Sequence, residues 1–200
     1  MPTIPRMRRK RLRVNGRAGF LGPDRLRLDV EESYPNCPKY IQRRHLHDDG
    51  FLHAPWTADA RRGRVLGDEQ RQMIAAADTF FVASAHPDRG VDASHRGGNA
   101  GFVQMLDDTT LRVPDYAGNS LFNTLGNFAV HPSAGLVLPD FRSGRILQIT
   151  GRPEIRWDLD VPDVTGGTGR SWDLSIDAWI ESTPGRPPRW EFLEHSPHNP

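Results

Sequence analysis

Two stretches of the chain carry residue types that could hold an anionic ligand. The first is Asp92-Ala93-Ser94-His95-Arg96-Gly97-Gly98-Asn99-Ala100-Gly101-Phe102-Val103, which ends one predicted strand and begins the next. Arg96 offers a planar, permanently charged fork that suits phosphate. Ser94 and His95 add hydrogen-bond donors, and Gly97, Gly98 and Gly101 let the backbone approach a ligand closely. The same glycines would equally serve a tight hairpin with no ligand. The second stretch runs from Pro114-Asp115-Tyr116 through Gly118 to Asn127 and leads into a predicted helix. A helix start presents unpaired N–H groups and the positive end of the peptide dipoles, which together favour an anion. Asn119, Ser120, Asn123 and Asn127 cluster there, three of them on one face. Ordinary capping by Asn119, with the other amides in water, is the alternative.

Other constellations are weaker. His45, His47 and His53, with Asp49, have ligand chemistry, and His45 and His47 would share one side of an extended strand. No cysteine assists, and a solvated linker explains the segment equally well. Asp92, Ser94 and His95 are too close in sequence for a catalytic triad, and no nucleophile-elbow pattern surrounds Ser94. Cys37 has only Lys39 nearby to depress its pKa, which favours a packed thiol. No phosphate-binding Walker loop and no dinucleotide glycine pattern follows a strand.

The elements that must position these residues are mostly strands. Alternation predicts two strands in 11–30, turning around Gly19 to Asp24. Residues 45–64 are polar and weakly periodic. Gly67 to Ala77 reads as a helix capped by Asp68. Thr79–Ala85 and Val91–Ser94 flank the turn at His86 to Gly90. Phe102–Leu106 and Thr109–Val113 form a hairpin across Asp107-Asp108. Asn119 to Val130 reads as a second helix with Asn119 as its cap and Leu121, Phe122, Leu125, Phe128 and Ala129 on its buried face. Ala134–Leu138, Arg145–Trp157 and Ser171–Ile180 complete the strands. The Pro-rich end from Pro184 reads as a linker or a loosely docked tail.

Composition bounds the answer. Two hundred residues with 36% hydrophobic content support one real core, and 19 glycines and 17 prolines suit a turn-rich β fold. With 26 basic and 25 acidic residues there is no general attraction to nucleic acid or anionic lipid. The basic N-terminal cluster from Arg6 to Arg17 reads as a solvated strand or tail. No apolar run approaches a membrane span, and no secretory signal is recognisable. The single cysteine allows no internal disulfide, which fits a reducing, cytoplasmic setting.

An internal repeat shapes the domain reading. Leu12-Arg13-Val14-Asn15-Gly16-Arg17-Ala18 matches Leu147-Gln148-Ile149-Thr150-Gly151-Arg152-Pro153, and each is followed by an alternating strand. The second copy has a whole β domain before it and the first only about ten residues. The expected organisation is therefore residues 1–45 as the tail of a truncated first unit, 46–64 as linker, 65–182 as the complete unit and 183–200 as tail. A lone hairpin cannot bury its own core, so 1–45 must lean on the complete unit or on a partner chain, or stay poorly ordered.

Several motifs fall in one order: Asp92 to Gly98, Gly101-Phe102-Val103, Pro114-Asp115-Tyr116, Gly118-Asn119, Phe122 to Asn127, Gly135-Leu136, Asp140-Phe141 and Leu147 to Arg152. Together they resemble the pyridoxamine 5'-phosphate oxidase-like FMN-binding split-barrel family, in its predicted flavin-nucleotide-binding branch. Asn36-Cys37-Pro38-Lys39-Tyr40-Ile41-Gln42 resembles the same branch, where it follows a first barrel. The resemblance implies a mainly β fold with minor α content, a six-stranded split β-barrel, preceded here by the tail of another. It implies FMN as cofactor and a homodimer or pseudo-dimer around it. The cofactor-binding positions would be Ser94, His95, Arg96, Gly97, Gly98, Asn119, Ser120, Asn123, Thr124 and Asn127. The oxidase proper has basic residues at the helix start where this chain has Asn119, Ser120 and Leu121, so phosphate charge would rest on Arg96 and the helix dipole. The oxidase's C-terminal substrate residues find no match, so pyridoxamine phosphate oxidation itself is not expected. The implied activity is an FMN-dependent oxidoreductase of unidentified substrate. A non-catalytic flavin-binding or electron-transfer module, or a fragment without cofactor, is the alternative. Members of the branch can be fused to a ferredoxin-reductase-like module, and Trp190 to Pro197 resembles such a junction.

Overall fold

The computed structural model describes residues 11–47, 58–118, 121–159 and 161–200. They divide into two compact units, Met1–Pro38 and Lys39–Pro200.

The first unit is an antiparallel hairpin of β1 (Leu12–Phe20) and β2 (Leu26–Pro35). Period-two alternation puts Leu12, Val14, Leu26, Leu28 and Val30 on one face and Arg13, Arg17, Arg27 and Asp29 on the other. The register slips between Asn15 and Gly16, where β2 carries one extra residue. Only glycine fits there, because a Cβ on Gly16 would fall on the Asp29 carbonyl oxygen.

The second unit runs β3 (Arg43–His47), β4 (Ala58–Gly63), α1 (Asp68–Ala76), β5 (Thr79–His86), β6 (Gly90–Gly97), β7 (Gln104–Met105) and β8 (Thr110–Pro114). It continues with α2 (Asn123–Val130), β9 (Ala134–Pro139), β10 (Ile146–Arg156), α3 (Pro162–Thr165), β11 (Ser171–Pro184) and β12 (Arg189–Glu194). The core is one cluster. Phe80, Val82, Leu111, Val113, Leu136, Leu138, Leu147, Ile149, Trp172 and Leu174 come from the strands, Met73 and Ile74 from α1, and Leu125 and Phe128 from α2.

The expected six-stranded split barrel is not what these strands form. They make one eight-stranded sheet in the order β6-β5-β9-β10-β11-β8-β7, with β4 also on β11. The sheet does not close: β6 and β7 end the path without pairing to each other. The cause lies in strand lengths. β11 has 14 residues, long enough to pair β8 through Ser171–Ser175 and β4 through Trp179–Pro184 along the same edge. β7 has only two residues and offers little edge for closure.

The segments read as linker and tail contribute strands. β4 joins the main sheet, and β12 pairs antiparallel with β3. That small sheet is anchored by Arg44, whose guanidinium lies 4.0 Å from the Phe141 ring centroid and 2.5 Å from Asp78 Oδ2. α1 begins one residue after Gly67, whose N–H donates to Gln70 Oε1 at 3.1 Å, so Gln70 and not Asp68 supplies the side-chain contact at its start. α2 starts later than expected. Phe122 precedes it with φ 52°, a left-handed backbone that sets the start of the helix at Asn123; the expected cap, Asn119, lies outside the described residues.

One buried ion pair makes a pH prediction. Asp173 on β11 accepts from Arg112 Nε at 2.7 Å and Arg156 Nε at 2.9 Å. Burial alone would raise its pKa, but the two guanidiniums outweigh it and hold the carboxyl below its ordinary 3.8. A depressed folded pKa gives stability that is present above the unfolded value and is lost as pH falls through the folded one. Asp173→Asn is expected to flatten the acid limb of a stability-against-pH curve, measured by urea unfolding across that range. An unchanged limb would assign the acid sensitivity to other carboxylates.

Candidate functional site

β6 alternates, so Asp92, Ser94 and Arg96 lie on one face and His95 on the other. Ser94 donates to Asp92 Oδ2 at 3.3 Å and accepts from Thr124 Oγ1, on the first turn of α2, at 3.2 Å. One helical turn on, Asn127 Nδ2 donates to Ser84 Oγ at 2.9 Å, and Ser84 faces Asp92 across the β5–β6 ladder. The polar face of α2 is thereby fixed against β5 and β6, and its apolar face, Leu125 and Phe128, turns into the core.

Arg96 leads to residues that sequence reasoning did not single out. Its guanidinium lies 3.7 Å from Asp115, which is buried just after β8. Arg170 donates to the other oxygen of Asp115 at 3.1 Å and lies 5.2 Å from the Phe122 ring centroid. Contacts run from Arg96 through Asp115 to Arg170 and Phe122, and separately from Ser94 to Thr124; the backbone of β6 and of the start of α2 joins the two sets into a circuit. Two guanidiniums share the Asp115 carboxylate, and the hydroxyl pair carries a second carboxylate, Asp92, so the two cations and two acids of the cluster balance. An acid placed just after an apolar strand was a legible signal for Asp115, because a buried carboxylate needs a cation. Nothing in the sequence pointed to Arg170, 55 residues away.

Gly97 and Gly98 lie where other parts of the chain come close. A Cβ on Gly97 would fall on the Tyr40 carbonyl oxygen, and one on Gly98 would meet the Phe102 ring at 2.8 Å. The space is filled by the chain's own Tyr40 carbonyl and Phe102 side chain. Tyr40 takes the left-handed φ of 64° that few non-glycine residues adopt. Its hydroxyl donates to the Ala117 carbonyl at 2.8 Å and its ring lies 5.3 Å from that of Tyr116. Burial and then the neighbouring Tyr40 push the Tyr116 phenol above its ordinary pKa, so it remains a donor. Gln42, also buried, donates to the Gly98 carbonyl at 2.9 Å and accepts from the Ser196 N–H at 2.7 Å.

The remaining sequence candidates separate. His95 packs its ring 5.9 Å from Phe81, away from Ser94 and Arg96. Asn123 is exposed at the start of α2. Asn119, Ser120, Asp49 and His53 lie outside the described residues. His45 and His47 stack edge to face at 4.8 Å, and His47 Nε2 lies 3.4 Å from Glu191 on β12. Among the described residues no group of three or more His, Cys, Asp or Glu could hold a metal ion. No helix among them is long and apolar enough to cross a membrane. Cys37 is a half-buried free thiol.

No family model matches the chain, and no curated protein does. Solved structures with a similar fold include a candidate pyridoxamine 5'-phosphate oxidase from Lactobacillus delbrueckii, at 16% identity over 58% of this chain and 94% of that one, with a TM-score of 0.48. HupZ of Group A Streptococcus is 11% identical over 56% and 90%, with a TM-score of 0.45. General Stress Protein 26 of Bacillus anthracis is 12% identical over 62% and 95%, with a TM-score of 0.42. This is a distant likeness of fold and says nothing about ligand or activity.

Proposed function

We propose that the chain binds FMN, with the phosphate at Arg96 and Arg170 and the Ser94–Thr124 hydroxyl pair beside it. The observation that carries the reading is the pair of guanidiniums anchored by one buried carboxylate, Arg96 on β6 and Arg170 before β11, beside the hydroxyls of Ser94 on β6 and Thr124 at the start of α2. A phosphate suits the two guanidiniums, which Asp115 holds in place before binding, while the hydroxyl chain from Thr124 through Ser94 ends on Asp92. The residues that fit are Ser94, Arg96, Thr124 and, beyond the sequence expectation, Arg170. Asp115 acts through them by fixing both guanidiniums. Bound flavin would supply hydride or electron transfer, and the protein would supply binding and polarity around the ring. On this reading the chain is an FMN-dependent oxidoreductase, and the substrate is set by surfaces outside the phosphate circuit.

The test is a visible spectrum of the purified full chain, before and after excess FMN and gel filtration. Flavin absorbance that travels with the protein is the expected result. No retained flavin at any concentration overturns the proposal. Reduction of retained flavin by NAD(P)H with repeated turnover would support the enzyme reading; retention without turnover would assign a binding or electron-transfer module.

A further inference from the structure

The segment that follows β12 crosses the end of β6 and fills a small polar site. Ser196 anchors it. This residue is 5% exposed, its N–H donates to Gln42 Oε1 at 2.7 Å, and its hydroxyl accepts from the Tyr40 N–H at 3.1 Å. The chain then turns, with the His198 N–H donating to the Ser196 hydroxyl and the Asn199 N–H to the Ser196 carbonyl, each at 3.3 Å. The turn presents the Asn199 carboxamide to two others. Asn199 Oδ1 accepts from Gln42 Nε2 at 3.2 Å, and Asn199 Nδ2 donates to Asn99 Oδ1 at 3.0 Å and to Gln42 Oε1 at 3.5 Å. Asn99 Nδ2 donates in turn to the Pro200 backbone oxygen at 2.6 Å. The Pro200 ring lies beside that of Tyr116, both coming within 3.5 Å of where a Cβ on Gly166 would stand.

The receiving side of this contact is fixed and the entering side is not. Gln42 is 4% exposed, and its Nε2 is tied to the Gly98 carbonyl at 2.9 Å. Tyr116 is held between Tyr40 and Phe102, at 5.3 and 6.4 Å between ring centroids. Beyond Ser196, by contrast, no residue of the segment is buried: Asn199 is half-exposed, and Pro197, His198 and Pro200 are exposed. Its hydrogen bonds replace bonds to water and so contribute little net stability.

We infer that Gln42 and Asn99 form a binding site for a primary carboxamide carried on a flat ring, and that Asn199 and Pro200 are an internal occupant which such a ligand displaces. The chemistry selects one ligand class. The site offers a donor, Gln42 Nε2, to the carboxamide oxygen and two acceptors, Gln42 Oε1 and Asn99 Oδ1, to its NH2 group. A carboxylate of the same shape has no proton for those acceptors and is rejected. An aromatic ring would rest against Tyr116 in place of the Pro200 ring. Nicotinamide is a small member of the class. It carries no phosphate, so the inference does not rest on flavin binding.

The test is an NMR titration of the full chain with nicotinamide, with nicotinate as control. Nicotinamide is expected to move the Asn199 side-chain amide resonances toward their solvent positions, and nicotinate to leave them in place. Asn199→Ala removes the internal occupant and should tighten nicotinamide binding about tenfold, because the open state is then populated before the ligand arrives. Adding Asn99→Ala should reverse that gain by removing one acceptor. Neither residue belongs to the core, and urea unfolding checks that each variant is folded. The resonances of the unaltered chain answer the question without any substitution. Equal binding of nicotinamide and nicotinate, no gain in Asn199→Ala, no nicotinamide binding by either form, or an Asn199 amide that stays in place while nicotinamide binds overturns the inference. Each of these failures leaves the phosphate reading of Arg96 and Arg170 untouched.

Discussion

Trp172→Ala is expected to cost the fold about 3–5 kcal/mol, the range for emptying a fully buried aromatic site. Trp172 has no exposed surface and sits between Phe80, at 6.4 Å between ring centroids, and Phe128, at 5.2 Å. The first contact ties β11 to β5 and the second ties β11 to α2. The site cannot collapse easily, because Leu111, Leu147 and Leu174 around it are themselves without exposed surface. Typical stabilities are about 5–15 kcal/mol, so this one change could remove most of the margin. Urea unfolding of the full chain measures it. Trp172→Phe should cost much less than the alanine change. It keeps most of the apolar volume and removes an indole N–H that is buried with no hydrogen-bond partner among the described residues. A loss under about 1 kcal/mol for Trp172→Ala would show that the core closes over the gap. The change should also reach the candidate site, because α2 carries Thr124 and Asn127 on one face and packs on Trp172 through the other.

The strands that bury side chains were legible because burial imposes alternation. Phe80 and Val82, Leu136 and Leu138, Leu147 and Ile149, and Trp172 and Leu174 all announce period two. β4 and β12 could not be read the same way. Ala58-Asp59-Ala60-Arg61-Arg62-Gly63 and Arg189-Trp190-Glu191-Phe192-Leu193-Glu194 are held by backbone pairing and ion pairs, with little apolar burial to pattern them. The six-stranded barrel was implied by the family resemblance alone; with β4 unread, nothing in the strand pattern showed that the length of β11 serves a second pairing. In the site, Ser94, Arg96 and Thr124 were within reach of sequence because each lies in a short motif beside a strand end or helix start. Asp115 stood in such a motif without being assigned a task. Arg170 was invisible, since its place is set by the fold that returns β11 to β8. Gly97 and Gly98 were visible but ambiguous. Glycine marks a close approach equally whether the approaching group is a ligand or, as here, the chain's own Tyr40 carbonyl and Phe102 ring.

Arg96→Ala is expected to weaken FMN binding by about 1.5–3 kcal/mol, or roughly 10- to 150-fold in Kd, the loss of a charge-assisted contact to phosphate. The informative comparison is with riboflavin, which has the ring and lacks the phosphate. If Arg96 holds the phosphate, riboflavin affinity should stay within about threefold of the unaltered chain while FMN falls toward it. The fold should survive the change, because Asp115 keeps Arg170 at 3.1 Å and is not left as an uncompensated buried charge. Arg170→Ala should act in the same direction and also release the contact with Phe122 at the start of α2. Changing both arginines should cost stability as well, since Asp115 would then lose both guanidiniums that face it. Rising salt should weaken FMN more than riboflavin in the unaltered chain, and the difference should shrink in Arg96→Ala. Fluorescence titration of each flavin measures all of these. A parallel fall of FMN and riboflavin would mean that Arg96 acts through the structure of β6 and Asp115, with no contact to phosphate. Undiminished FMN affinity would place the phosphate elsewhere, and the circuit around Asp115 would then be a structural clasp between β6, α2 and the start of β11.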